Sequence, residues 1–324
     1  MERKKKLKER IVIWALDPFH GRTPEHVRAA LYVENLARIL RAKVEPVFIL
    51  SPNVFYLPID YFVPPEKSEY ITIAQRELNS LLQSFGSKRF LPGRVLCDDA
   101  FTRRGTIQTF VTYAKGRNAV LIFSPTQGRR GLPRFWLGSF TETLLMYSPI
   151  PIITVNPKTK AKLRFQNVIY PTDLSSHSQK TLNAFLPVAK LMNAKIHLLH
   201  GLQGSMTNAT LAYEGLSDVA FNFYTQEMKR IKKSREKQIG AWAKICKSHG
   251  VNTTTEIAED QTQVLDTVLK VAKRKKANLI AMATTSGPFE NLMTGGITRQ
   301  VVRYADIPVW IMHQQRRSSD GTKS

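Results

Sequence analysis

Cysteine is scarce: Cys97 and Cys246 are the only two in 324 residues, one in each half, which excludes a disulfide framework. No apolar run approaches the roughly 18–20 residues that span a bilayer, so membrane insertion is not expected. The N-terminal MERKKKLKER is basic like the start of a signal peptide, but the apolar stretch behind it stops at Asp17 and reads as a first strand. A cytoplasmic protein is expected. Gly-x4-Gly-Lys-Ser/Thr is missing, so P-loop chemistry lacks its lysine. Neither His-x-Gly-His nor a Ser-Gly-Gly loop follows either first strand. Among the seven histidines, His197 and His200 lie three apart on one strand, hence on opposite faces, and cannot share a metal.

Acidic residues are also few. Twenty-five Asp and Glu face 48 Lys and Arg, a net charge of +23. Part of the excess sits in the run from Arg3 to Arg10 and in Arg316, Arg317 and Lys323. The rest lies on helical stretches such as Lys229–Lys237 and Lys270–Lys276. This balance favours polyanionic partners, although solvated helix faces and tails account for much of it.

What the chain does contain is itself, twice. LGSFTETLLMYSPIPI at 137–152 returns as TGGITRQVVRYADIPV at 294–309, and Asp17 closing IVIWAL returns as Asp173 closing VIYPT, each about 157 residues later. Within each copy, apolar strands alternate with helical periods. Thr23-Pro24-Glu25 is an N-cap with proline in the first turn. Asp98-Asp99 is expected to cap a helix over Thr102–Lys115, and Tyr224–His249 reads as the longest helix. Strands apolar on both faces, alternating with helices, imply parallel sheets covered on both sides. The expected architecture is α/β: two tandem five-stranded, doubly wound, Rossmann-like domains at 1–156 and 165–315, a linker at 157–164 and a basic tail at 316–324.

In such sheets ligands sit beyond the carboxyl ends of the strands, at the switch point. Asp17 and Asp173 fall there and could accept hydrogen bonds from a sugar hydroxyl or an adenine amine; helix capping is the alternative for each. After the fourth strand comes Ser124-Pro125-Thr126-Gln127-Gly128-Arg129-Arg130-Gly131, then Gly138-Ser139. Gly128 can turn backbone N–H groups inward as an anion nest. Gly138 opens a helix whose unpaired N–H groups and positive dipole end would face the same crevice, with Ser139 and Thr141 adding hydroxyls.

Gly-x9-Gly-Ser after an apolar strand, then a helix and x-x-Pro into a last strand, resembles the universal stress protein family. Its nucleotide-binding members carry Gly-x2-Gly-x9-Gly-(Ser/Thr). Here Pro125 replaces the first glycine, and Ala15 stands where the pattern often has proline. The resemblance covers nearly the whole chain as a tandem pair and implies an adenine nucleotide alpha hydrolase-like fold. It implies a site of Ala15, Asp17, Gln127, Gly128, Arg129, Gly138, Ser139, Phe140 and Thr141 for ATP, ADP or AMP, with or without Mg2+. The second half keeps Pro171-Thr172-Asp173, but Thr285 stands where a glycine is expected and Gly296 replaces the Ser/Thr. Glu290 adds charge of the wrong sign. A degenerate second site of Pro171, Asp173, Gly287, Gly295 and Gly296 follows.

The expected function is nucleotide binding that reports stress or energy state, mainly in the N-terminal domain. No general base or nucleophile is in evidence, so turnover is not expected. The two domains are expected to pair within the chain as single-domain relatives dimerise, with homodimers of the whole chain a further arrangement. The alternative is a nucleotide-independent protein whose basic surface binds nucleic acid or an acidic partner. A third reading makes the aromatic loop of Phe55, Tyr56, Tyr61 and Phe62 a small-molecule pocket.

Overall fold

A computed structural model describes residues 9–19, 21–51, 67–98, 102–126, 138–156, 159, 164–202, 218–259, 263–284 and 296–313. The chain divides into two compact units, with the boundary between residues 163 and 164. The first unit runs β1 (Ile11–Ala15), α1 (Pro24–Leu40), β2 (Lys43–Leu50), α2 (Lys67–Gln83), β3 (Arg94–Cys97), α3 (Arg103–Gly116), β4 (Ala119–Phe123), α4 (Ser139–Tyr147) and β5 (Ile152–Thr154). The second runs β6 (Asn167–Pro171), α5 (Ser176–Leu191), β7 (Lys195–Gly201), α6 (Asp218–Ser248), β8 (Thr253–Ala258), α7 (Val264–Arg274), β9 (Leu279–Thr284), α8 (Gly296–Tyr304) and β10 (Val309–His313).

Strand order is β3-β2-β1-β4-β5 in the first unit and β8-β7-β6-β9-β10 in the second. The pairings within each are parallel. Parallel neighbours need a crossover, and helices supply it. The order reverses between β1 and β4, and again between β6 and β9. Those two gaps are the switch points.

Unbroken apolar runs explain the burial. Ile11, Val12, Ile13 and Trp14 are all buried in β1, as are Val168, Ile169 and Tyr170 in β6. A strand buried on both faces has helices on both sides. Trp14 anchors the first core, with the rings of Phe85, Phe90 and Phe123 centred 5.9, 5.8 and 6.2 Å away. Trp310 anchors the second against Phe185 at 5.7 Å. Each such side chain contributes roughly 1.5–3 kcal/mol by burial.

Local signals set the helix ends. Thr23 caps α1 by accepting from the His26 N–H at 3.2 Å, with Pro24 in the first turn. Ser175 caps α5 the same way through the Ser178 N–H. The cap of α3 is Thr102, not the Asp98-Asp99 pair. Asp98 instead accepts from Thr109 Oγ1 at 3.1 Å, one side of the helix further along. Helix α6 begins at Asp218, ahead of the expected Tyr224. No described helix is long and apolar enough to cross a membrane.

Candidate functional site

At the first switch point the chain leaves β1 still held to β2, since the Leu16 N–H donates to the Val47 carbonyl at 3.1 Å. Asp17 follows, half-buried, one residue past Leu16. Its Oδ1 accepts the Phe19 N–H at 3.0 Å and closes a tight turn at the crevice edge. Ala15 is the last residue of β1. Across the gap, Ser124 and Thr126 carry the β4 direction onward, donating to the Ile153 and Val155 carbonyls at 3.0 Å each. Alternation turns the intervening Pro125 nitrogen away from β5, so proline in place of the family's first glycine forfeits no bond to that strand.

The helix that follows opens on the same gap. Gly138 is its N-cap, with φ −61° and ψ 145°, a conformation any residue can adopt. A Cβ built there meets nothing within 4 Å among the described residues. Neither backbone torsion nor described packing therefore demands glycine; it leaves space over the helix end. The first intrahelical bond is Glu142 N–H to Gly138 O at 3.0 Å, so the N–H groups ahead of it point out of the helix. Ser139 begins α4. Phe140 does not lie open: it packs edge-on against Phe110 of α3 at 5.3 Å. Thr141 is buried and exchanges a hydrogen bond with Ser124 Oγ at 3.0 Å, which ties the first turn of α4 to the carboxyl end of β4. Gln127, Gly128 and Arg129 lie outside the described residues.

The second switch point is built differently. Pro171 ends β6, and Asp173 turns back on its own loop, accepting from the Ser175 N–H at 2.9 Å and from Ser178 Oγ at 2.5 Å. Burial works to raise the Asp173 carboxyl, but these hydrogen bonds outweigh it and hold the group below its usual value. Ser178 is a hub, because its carbonyl also accepts the buried Tyr170 hydroxyl at 2.8 Å. Leu174 is left-handed at φ 62°, and its carbonyl accepts from Gln238 Nε2 at 2.8 Å. A branched side chain in that region marks local strain.

His177, in the first turn of α5, donates from Nε2 to the Thr284 carbonyl at the end of β9, 3.0 Å away. His200, buried at the end of β7, donates from Nδ1 to the Thr172 carbonyl at 2.8 Å. Gly296 is the first residue of α8. Gly287 and Gly295 lie outside the described residues, as does the aromatic loop Phe55–Phe62. Among the described residues no group of three or more His, Cys, Asp or Glu could hold a metal ion.

Three features escape a reading of the sequence. His177 sits two residues beyond the Ser175 cap and so faces the crevice, a signal available from helix phase. Ser178 occupies Asp173 from one turn into the same helix. Phe19, two residues past Asp17, is 44% exposed and stands edge-on to Phe48 at 5.5 Å, an apolar surface beside the carboxylate. Two cavities lie away from both switch points: about 590 Å³ along α2 near Gln75 and Asn79, and about 340 Å³ beside β8 near Glu256 and Lys270.

The sequence profile of the universal stress protein family matches the chain twice, over residues 10–156 and 164–313. A universal stress protein of Methanocaldococcus jannaschii is 24% identical over 157 residues, which is 47% of this chain and 85% of that protein. The solved universal stress protein of Archaeoglobus fulgidus DSM 4304 superposes with a TM-score of 0.60 at 16% identity, covering 95% of this chain and 99% of that one. A functionally unknown protein of Pseudomonas aeruginosa PAO1 gives a TM-score of 0.58 at 12% identity, covering 94% and 92%. At such identities the structural likeness establishes the fold alone.

Proposed function

From a chain that belongs to the universal stress protein family in both halves, we propose a cytoplasmic binding protein for an adenine nucleotide, ATP or its di- and monophosphates, held at the first switch point. The observation that carries this reading is Gly138. It caps α4 in a conformation open to any residue, and among the described residues nothing stands within 4 Å of where a Cβ would be. The outward N–H groups and positive end of α4 meet there, an arrangement suited to phosphate.

Asp17 lies across the gap and can accept from a ribose hydroxyl or the adenine amine. Phe19 and Phe48 offer the base an apolar edge beside it. Thr141 has a structural part, since its hydroxyl is engaged with Ser124 and fixes where the helix end points. No described side chain stands as a general base beside a nucleophile, and the role is binding that reports nucleotide state rather than turnover. Asp17 would offer a carboxylate to Mg2+ at this gap, with the phosphates and water supplying the ion's other ligands.

Titration calorimetry of the intact protein with ATP, ADP and AMP tests the proposal. Binding is expected for the native chain and its loss for Gly138→Asp, which places a carboxylate where phosphate would sit. The new Cβ meets no described residue and aspartate is a good N-cap, so the variant should melt no lower than the parent. Heat-silent titrations at millimolar nucleotide, or unchanged affinity in the variant, overturn the reading.

A further inference from the structure

The opposite edge of the first sheet carries charge that nucleotide binding does not use. Arg94 stands at the start of β3, Lys43 at the start of β2 and Arg10 just ahead of β1, while Lys88 and Arg89 line the segment between α2 and β3. They form one surface. The Arg10 carbonyl accepts the Lys43 N–H at 3.0 Å, Lys43 Nζ donates to the Lys88 carbonyl at 3.2 Å, and the Arg89 carbonyl accepts the Val44 N–H at 3.0 Å.

A helix end accounts for only one of these five, Arg10, whose Nη1 donates to the Leu40 carbonyl at the end of α1 at 3.5 Å. Arg38, Arg41 and Lys115 sit at helix C-termini, where a cation offsets the negative end. Arg10, Lys43, Lys88, Arg89 and Arg94 lie on strand starts and a loop. None forms an ion pair with a described carboxylate. Of the acids at this end, Glu45 is buried and taken by Arg117 at 2.7 Å and Tyr113 at 2.8 Å, and Glu34 accepts from Ser87 at 2.7 Å; Glu9 is left beside Arg10. The second unit repeats the pattern at the amino-terminal ends of its own strands, with Arg164 ahead of β6, Lys195 at the start of β7 and Lys276 ahead of β9.

We propose that the amino-terminal edge of the first sheet docks the phosphodiester backbone of a nucleic acid. Cations on successive strand starts, about 4.8 Å apart, make a row that meets a linear polyanion better than a single phosphate. Among the described residues of the first unit, none of the exposed large hydrophobic side chains, Phe19, Leu31, Ile73 and Met146, belongs to these loops. A lipid surface would call for such an apolar anchor.

The test is fluorescence anisotropy of a labelled 20-nucleotide single-stranded RNA with the full chain across a salt series. Five phosphate contacts give a slope of log affinity against log salt of about −3.5. Arg10→Glu/Lys88→Glu/Arg94→Glu should weaken binding by at least about tenfold at 0.1 M salt and flatten the slope by about 2. Lys229→Glu/Lys233→Glu/Lys237→Glu on α6 changes the net charge equally and should cost far less. Saturating ATP should leave RNA affinity unchanged, because the crevice is at the other end of the strands. A native slope shallower than about −1, equal losses in the two triples, displacement by ATP, or binding to phosphatidylserine vesicles but not to RNA each overturns the proposal.

Discussion

The imidazole of His177 and the main-chain carbonyl of Thr284 meet at 3.0 Å across the second switch point, joining the first turn of α5 to the end of β9. No comparable bond between α1 and the end of β4 is seen among the described residues of the first unit. The bridge lies where a nucleotide would have to enter. His177→Ala should cost about 1 kcal/mol of stability, since the freed carbonyl can take water. It should also admit AMP or adenosine more readily to the second unit, which calorimetry on a Gly138→Asp background would detect. If small-nucleotide binding does not rise, the bridge is structural only.

Asp173 makes stability pH-dependent in a defined direction. Its folded carboxyl titrates below the unfolded value, so the unfolded chain binds the proton more readily. The contribution is fully present above the unfolded value near 3.8 and is lost as pH falls through the lower folded value. Asp173→Asn should therefore lower stability at neutral pH by about 1 kcal/mol. The gap to the parent should narrow as pH drops below about 4. Thermal melts across pH 2–7 check this; a gap that stays constant shows that the hydrogen bonds do not depend on charge.

The sheets, their order of strands and helices, and the two aspartates past the first strands were legible because each rests on local pattern. Continuous apolar runs mark doubly buried strands, and Thr23-Pro24 marks a helix start. What was not legible depends on partners far along the chain. His177 and Thr284 are 107 residues apart, and helix phase gives the direction of the histidine but not the carbonyl it meets. Asp98 looked like a cap because it precedes a helix, yet Thr102 is nearer in phase and wins the Gly105 N–H. The family pattern points to Phe140 through its position beside Gly138-Ser139, while helix phase sends its ring into Phe110.

Gly93 shows a glycine required by packing. A Cβ there would stand 2.6 Å from Leu78 Cγ and Cδ2 and 2.9 Å from Leu82 Cδ1, where α2 lies against the start of β3. Leu78 is fully buried and has little room to yield. Gly93→Ala should destabilise the first unit by about 1–3 kcal/mol through overpacking, read as a lower urea midpoint at unchanged slope. A variant as stable as the parent would mean that α2 can shift outward without cost.

The two switch points differ enough to predict unequal occupancy. At the first, Asp17 accepts a backbone N–H of its own turn, and no described atom lies within 4 Å of a Cβ built on Gly138 at the end of α4. At the second, Asp173 is engaged by Ser175 and Ser178, His177 bridges the gap, and Gly296 carries no hydroxyl where the first unit has Ser139. Calorimetric titration should give one tight ATP site per chain. Asp17→Ala combined with Gly138→Asp should remove that site and leave any weak adenosine binding by the second unit intact. Two equivalent ATP sites would contradict the inequality. A single site that survives the double variant and disappears with Asp173→Ala would move nucleotide binding to the second unit, with the hydrogen bonds of Asp173 serving to position its carboxylate for the nucleoside.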